Sequence, residues 1–243
     1  MIRTIAFIDI LGFKQLVKNE KAQTIASILD DLHKYAKIDA ERSNYDYISS
    51  LEIAYFSDSI VLSCNNSTDY GFIQSLMNLQ IELMRKGIYI RGCITKGELY
   101  HKDNYIFGPA IIEAYEEEAK LAKYPRIILG KSYNFIGTHF CKDYDGLYFL
   151  DPFRYIQDKA WNEAFDMDQV IRDIITQLNS NIRLYENEKN IYMKFSWLKQ
   201  VIDEVFYISD NKYKYFWSSS STYDRNETLR GLRDTIISLK NSG

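Results

Sequence analysis

Proline, cysteine and histidine are scarce in this chain, each occurring three times in 243 residues. Cys64, Cys93 and Cys141 are odd in number and widely spaced, which argues against a disulfide framework and fits a reducing compartment. They form no CxxC, and His33, His101 and His139 have no metal-ligand spacing to one another or to the cysteines, so a zinc site is not expected. No run of about 18 apolar residues occurs, which excludes a transmembrane helix. The opening MIRTIAFIDILGFK lacks a basic segment followed by a long apolar run and cleavage site, so no secretion signal and a cytoplasmic location are expected. Charge of one sign is also missing: 30 Lys+Arg stand against 33 Asp+Glu. A net of −3 rules out a broadly basic nucleic-acid coat.

What is present is aromatic: 20 Tyr, 13 Phe and 3 Trp in a chain that is 46% hydrophobic and 26% charged. That balance belongs to a globular chain able to bury a real core. Residues 2–10 read as a strand buried on both faces. Residues 20–40 read as a helix with Ile25, Ile28, Leu29, Leu32 and Tyr35 on one face. Residues 48–56 and 59–64 read as a hairpin turning at Ser57-Asp58, and 69–86 as a second helix ended by Gly87. A strand follows over 88–100, where Gly92 and Gly97 predict a bulge or a close backbone approach. Pro109 then opens a helix over 109–122, and 125–129 form a further strand. The order through residue 99 is β-α-β-β-α-β, the ferredoxin-like arrangement. After about residue 150 two helical patterns appear, over 168–189 and 191–206. The expected class is α+β, with a core over 1–150 and a helical C-terminal extension over 151–243.

In a ferredoxin-like sheet the first and third strands are antiparallel neighbours. Asp9 ends the first strand and Asp58 lies at the hairpin tip, so the topology places the two carboxylates together at one edge. Two carboxylates this close repel unless protonated or bridged by a cation, and hard oxygen ligands suit Mg²⁺ or Mn²⁺. Each residue also has an ordinary reading, Asp58 as a turn residue and Asp9 as a cap of the next helix.

Four ordered segments carry a resemblance. FIDILGFK resembles the opening motif of the class III nucleotide cyclases, and YFSDSIVLS resembles their second metal motif, with Ser57-Asp58 in place of Gly-Asp. IRGCITKGELY resembles the family's R-x-G-I-x-x-G strand, and YIFGPAIIEAYEEEAKLA its following Gly-helix segment. The match covers about residues 3–130. It implies a palm-type fold, two Mg²⁺ or Mn²⁺ ions held by Asp9, Asp58 and the main-chain carbonyl of Ile10, and catalysis at a head-to-tail homodimer interface. The product would be a 3′,5′-cyclic nucleotide, with pyrophosphate leaving.

The departures narrow the expectation. The family's purine selectors fall at Ala54 and Tyr105, and its transition-state Asn and Arg fall at Ile112 and Glu116, neither of which donates to phosphate. A small cyclase without purine selectors is similar to the pyrimidine cyclases of Pycsar anti-phage defence, which make cUMP or cCMP from UTP or CTP. In that system the signalling effector acts through the product. Tyr55 and Tyr105 become candidates for stacking on a pyrimidine, Tyr55 being equally readable as strand packing. Arg91, Lys96 and Arg126 are candidates for the missing phosphate donors, Arg91 first because it neighbours the hairpin; a structural role is the alternative. Loss of the Asn/Arg pair leaves a catalytically inactive nucleotide- or protein-binding domain as the rival reading.

Other motifs carry less. Gly130-Lys131-Ser132 resembles a P-loop ending, but Pro125 stands where the earlier glycine is required. The FSDS turn lacks the glycines and glutamate of the GGDEF-type hairpin. Glu116-Glu117-Glu118 reads as a solvated helix face, and Lys212 to Tyr215 as a solvated loop rather than a nucleic-acid contact.

Overall fold

The computed structural model describes residues 1–42, 50–65, 69–103, 105–134, 137, 139–159, 166–209, 212–215 and 223–224. β1 (Ile2–Ile10) is the apolar run at the N-terminus, buried from Arg3 to Ile8 because secondary structure covers both its faces. Gly12, in the left-handed region at φ 80°, turns the chain into α1 (Phe13–Asn19), and α2 (Ala22–Arg42) follows. The single helix expected over 20–40 is therefore preceded by a separate short helix, and the break is the extended backbone of Glu20. β2 (Glu52–Phe56) and β3 (Ser59–Asn65) form the hairpin; α3 (Asp69–Met84) and β4 (Ile90–Glu98) complete the unit. Residues 48 and 49 and the side chain of Tyr35 lie outside the described residues.

These strands lie in the order β4-β1-β3-β2, antiparallel throughout, so the fold is α+β with a ferredoxin-like core. Gly92 makes a close approach, not a bulge. The β1–β4 register runs unbroken from Ile2↔Glu98 to Ile10↔Ile90, and a Cβ at Gly92 would lie 2.5 Å from the Phe7 carbonyl.

A hairpin of β5 (Tyr100–Lys102) and β6 (Tyr105–Phe107) precedes α4 (Pro109–Leu121), whose first turn carries Pro109. β7 (Ile127–Leu129) joins β4 in parallel, and β8 (Phe140–Lys142) and β9 (Tyr148–Leu150) extend the sheet beyond it. Three helices follow: α5 (Pro152–Lys159), α6 (Met167–Leu184) and α7 (Lys189–Val205). The C-terminal region then departs from a purely helical pattern. β10 (Phe206–Ser209) pairs with β11 (Lys212–Tyr215), and β12 (Tyr223–Asp224) lies parallel to β8 at the far edge of the eight-stranded sheet.

Strand alternation divides the interior. Ala6, Ile8 and Ile10 face the larger cluster with α2 and α3, whereas Ile5 and Phe7 face Ala110 and Ala114 of α4. Phe153, Ile156, Ile174, Leu178, Phe195 and Leu198 belong to the larger cluster as well. At about 1.5–3 kcal/mol for each large apolar side chain buried, these six contribute on the order of 10 kcal/mol, as much as a typical domain's whole stability. The C-terminal helices are thus part of the core. Among the described residues no helix is long and apolar enough to cross a membrane.

Candidate active site

Asp9 is the last but one residue of β1, opposite Ser59 of β3 on one side and Arg91 of β4 on the other. The β2–β3 connection is a two-residue turn, Ser57-Asp58, with Phe56 opposite Ser59. Such turns require positive φ to match strand twist, and Ser57 adopts φ 57° without being glycine. The turn leaves Asp58 beside the end of β1: the Ile10 N–H donates to the Asp58 carbonyl at 3.2 Å, and the Asp58 carboxylate is near enough to act on Asp9. Ser59 Oγ–H adds a long contact to Asp9 Oδ1 at 3.4 Å.

Arg91 supplies the local counter-charge. Its Nε and Nη2 donate to Asp9 Oδ2 at 3.3 and 3.1 Å, and Nη1 donates to the Ala122 carbonyl at 3.4 Å. Its Nε also lies 2.8 Å from Glu118 Oε1, a side chain only 3% exposed. That approach is an ion pair whose angle does not make a hydrogen bond. One guanidinium thus serves two carboxylates while Asp58 adds a third. The pKa of Asp9 is raised accordingly, first by burial and then by the Asp58 charge, with Arg91 pulling the other way. Burial likewise raises Glu118, against the opposing pull of Arg91.

A divalent cation suits this arrangement. Asp9 and Asp58 offer hard oxygens, and the charge that raises the Asp9 pKa is the charge a cation would neutralise. Among the described residues no group of three His, Cys, Asp or Glu stands close enough to hold a metal alone. Glu118 therefore belongs to Arg91, and the remaining ligands of a cation would come from backbone, water or phosphate.

The other sequence candidates separate by strand face. Ala54 pairs with Val61 and is buried on the α4 face of the sheet, the face that Asp9 shares with Phe7. Tyr55 points to the opposite face and packs against the larger core. Lys96 lies opposite Thr4, five residues along β4 from Arg91 and on the other face, and is not brought to the carboxylates. Tyr105 is 71% exposed on the β5–β6 hairpin, and Phe107, Ile112 and Tyr115 are each more than half exposed. Glu116, the position of the family's arginine, is exposed and pairs with Lys120 at 2.8 Å. Arg126 is unavailable to phosphate: it is 1% exposed and held by Asp143 and Asp145. In the Lys131-Ser132 turn both N–H groups donate to carboxylates of α4, Glu117 at 3.1 Å and Glu113 at 2.9 Å, which occupy the place an anion would take.

Two charged residues of the site were not anticipated. Glu118 was expected on a solvated face, and that expectation holds for Glu116 only. Ala110, Ala114 and Glu118 are buried together at four-residue spacing. The same spacing in the sequence marks Glu118 as the continuation of the inward stripe. The second is Lys194 of α7, which senses Arg91, Asp9 and Glu118 electrostatically. No local signal announces it, because its placement depends on how α7 packs.

No family model matches the chain, and no curated protein matches it. Solved structures similar to it include the monomeric guanylyl cyclase domain of the RhoGC fusion protein from Blastocladiella emersonii, at 18% identity and TM-score 0.47 over 61% of this chain and 94% of that one. A bacterial light-regulated adenylyl cyclase aligns at 14% identity and TM-score 0.45 over 72% and 97%. The adenylyl cyclase CyaB from P. aeruginosa aligns at 16% identity and TM-score 0.41 over 53% and 76%.

Proposed function

We propose that the chain is a metal-dependent nucleotide cyclase that converts a pyrimidine nucleoside triphosphate, UTP or CTP, to its 3′,5′-cyclic monophosphate and pyrophosphate. The observation that carries the reading is the juxtaposition of Asp9, at the end of β1, and Asp58, in the β2–β3 turn, with the Asp9 pKa raised first by burial and then by that neighbour. A pure binding module gains nothing from two repelling carboxylates.

Asp9, Asp58 and the Ile10 carbonyl would hold Mg²⁺ or Mn²⁺. When bound, such ions supply charge stabilisation at the attacking and leaving oxygens. The chain's own part is placement: Asp9 lies opposite Ser59 in the β1–β3 register, and Arg91 keeps Asp9 oriented through Oδ2, leaving Oδ1 with only the long contact from Ser59 Oγ. The 3′-oxygen would displace pyrophosphate from the α-phosphorus, its proton passing to water. Ala54, small and buried, offers a purine base none of the family's selector contacts. Support for a homodimer comes from the exposed apolar side chains Tyr105 and Phe107 of β6 and Ile112 and Tyr115 of α4, which a second copy would cover. Tyr105 would then meet a base bound between the copies, and an anti-phage signalling role would follow from a cUMP or cCMP product acting on a separate effector.

Incubation with each of the four nucleoside triphosphates and Mn²⁺, followed by product separation, tests this. Cyclic UMP or cyclic CMP is expected. Cyclic product from ATP or GTP alone would overturn the pyrimidine assignment, and nucleotide binding without any cyclic product would favour the inactive-domain reading.

A further inference from the structure

A cleft of about 630 Å³ opens past the end of β1, starting at Ile10, the residue after Asp9, between the β1–α1 turn and the C-terminal helices. One wall carries Ile10, Leu11 and Gly12, the backbone directly after Asp9; the opposite wall carries Lys194. α7 is seated firmly there, since Phe195 is buried and packs on Tyr89 with ring centroids 4.9 Å apart. The three cations lining the cleft differ. Arg85 pairs with Asp173 at 2.9 Å and Lys86 with Asp31 at 2.8 Å. Lys194 makes no ion pair or hydrogen bond among the described residues, although it is half-buried and feels both Asp9 and Glu118. Arg91, the other cation near the carboxylates, is already engaged by Asp9 and Glu118.

We infer that Lys194 is a polyphosphate-binding residue of the site, delivered by α7 into the cleft where the phosphates of a nucleoside triphosphate lie. The chemistry fits the side chain. An ammonium is a compact point charge on a flexible stem, suited to phosphate oxygens whose exact pose differs between bound and leaving states. Within a partly enclosed cleft its attraction for phosphate exceeds that of a surface lysine. It also fits the departures from the family pattern, since Ile112 and Glu116 supply no donor and Arg126 is buried elsewhere. The C-terminal helices would then contribute to substrate binding as well as to the core. The identity of the ligand rests on the cyclase reading.

The full chain carrying Lys194→Met, which keeps the apolar stem, and Lys194→Arg, which keeps the charge, tests the inference. Inorganic triphosphate with Mn²⁺ is titrated by calorimetry, a probe independent of the base. One lost charge-assisted contact weakens binding about 10- to 100-fold in K194M, while K194R stays within about threefold of the parent. Uridine and cytidine, which lack phosphate, bind all three chains alike, and KM for the triphosphate substrate rises more than kcat falls. Parental triphosphate affinity in a K194M chain that melts normally overturns the inference; Lys194→Gln decides if K194M does not fold. Lys194-dependent triphosphate binding without cyclic product from any nucleotide overturns the cyclase reading alone. Cyclic product together with unaltered binding by K194M overturns the inference alone.

Discussion

Two arginines of this sheet each stand between a pair of carboxylates, and their surroundings could hardly differ more. Arg126, just before β7, is 1% exposed and held by Asp143, itself 2% exposed, and by Asp145. Tyr124, Phe149 and Trp197 surround its guanidinium within 5.3–5.8 Å, and Trp197 Nε1–H donates to Asp143 Oδ2 at 3.0 Å. Arg91 is 25% exposed, reaches Asp9 and Glu118, and has the additional carboxylate of Asp58 beside it. In the first cluster Arg126 and Asp143 are buried, Asp145 alone reaches solvent, and Asp143 accepts from Arg126, Trp197 and the Tyr144 N–H. The second is open and retains excess negative charge. An arginine between carboxylates is a structural device in the first setting; in the second it leaves negative charge that, on the proposed function, a cation would neutralise.

Substitution separates the two clusters. Asp58→Asn removes the excess charge from the open one, and cyclic product is expected to fall by at least about 1000-fold, some 4 kcal/mol of transition-state stabilisation. Its melting temperature should hold or rise, because a repelling carboxylate has gone. Product at the parental rate would remove the two-carboxylate site. Arg126→Met acts in the opposite way. It leaves Asp143 charged and buried, which costs about 3–5 kcal/mol, or on the order of 10 °C in melting temperature for a chain this size. The double substitution R126M/D143N should recover much of that loss, as read by thermal unfolding. A mild R126M would mean the Arg126 cluster is not structural after all.

The open cluster was the more legible of the two. Asp9 and Asp58 follow from alternation and strand order alone, because a ferredoxin-like sheet must place the end of its first strand beside the start of its third. Tyr55 and Ala54 part company because neighbours on a strand face opposite ways, and of the two Ala54 shares the face of Asp9. Glu118 could have been found from its spacing to Ala114. Lys194 could not, nor could the Arg126 cluster, since Asp143, Asp145 and Trp197 meet only through the packing of α7 on β7–β9. Likewise β12 has two residues, and nothing local distinguishes such a strand from a loop.

Metal and pH sharpen the contrast further. With Mn²⁺ at one hundred times its dissociation constant, the parent should gain about 2.7 kcal/mol of stability, and Asp9→Asn should gain nothing. Without metal the sign reverses. The raised pKa of Asp9 means the folded chain holds this proton more firmly than the unfolded chain does. That contribution is therefore present at acid pH and is lost as pH rises above the ordinary carboxyl range. Asp9→Asn should accordingly melt higher than the metal-free parent at pH 7, with the difference vanishing near pH 3. Equal Mn²⁺ stabilisation of both chains would place the ion elsewhere.

The smallest effect belongs to the opposite end of β1, where a third arginine makes its hydrogen bonds to neutral partners. Arg3 Nε donates to Ser63 Oγ at 2.9 Å, and Ser63 Oγ lies 2.8 Å from His101 Nδ1. While accepting from Arg3, the serine hydroxyl can also donate its proton to Nδ1 of a neutral imidazole. Protonating His101 would set a second positive charge beside the Arg3 guanidinium in a buried site. Burial first, and Arg3 second, push the His101 pKa down to about 4 from 6.5. The unfolded chain therefore binds one more proton across that interval, so stability is full above about pH 6.5 and falls as pH drops toward 4. The slope reaches at most about 1.4 kcal/mol per pH unit. His101→Gln should flatten the dependence of denaturant-unfolding free energy between pH 4 and 6.5 while leaving the Asp9-linked rise toward acid intact. A parental slope in H101Q would assign the acid sensitivity to another group and would leave the two ends of β1 without the opposed pH responses their chemistry implies.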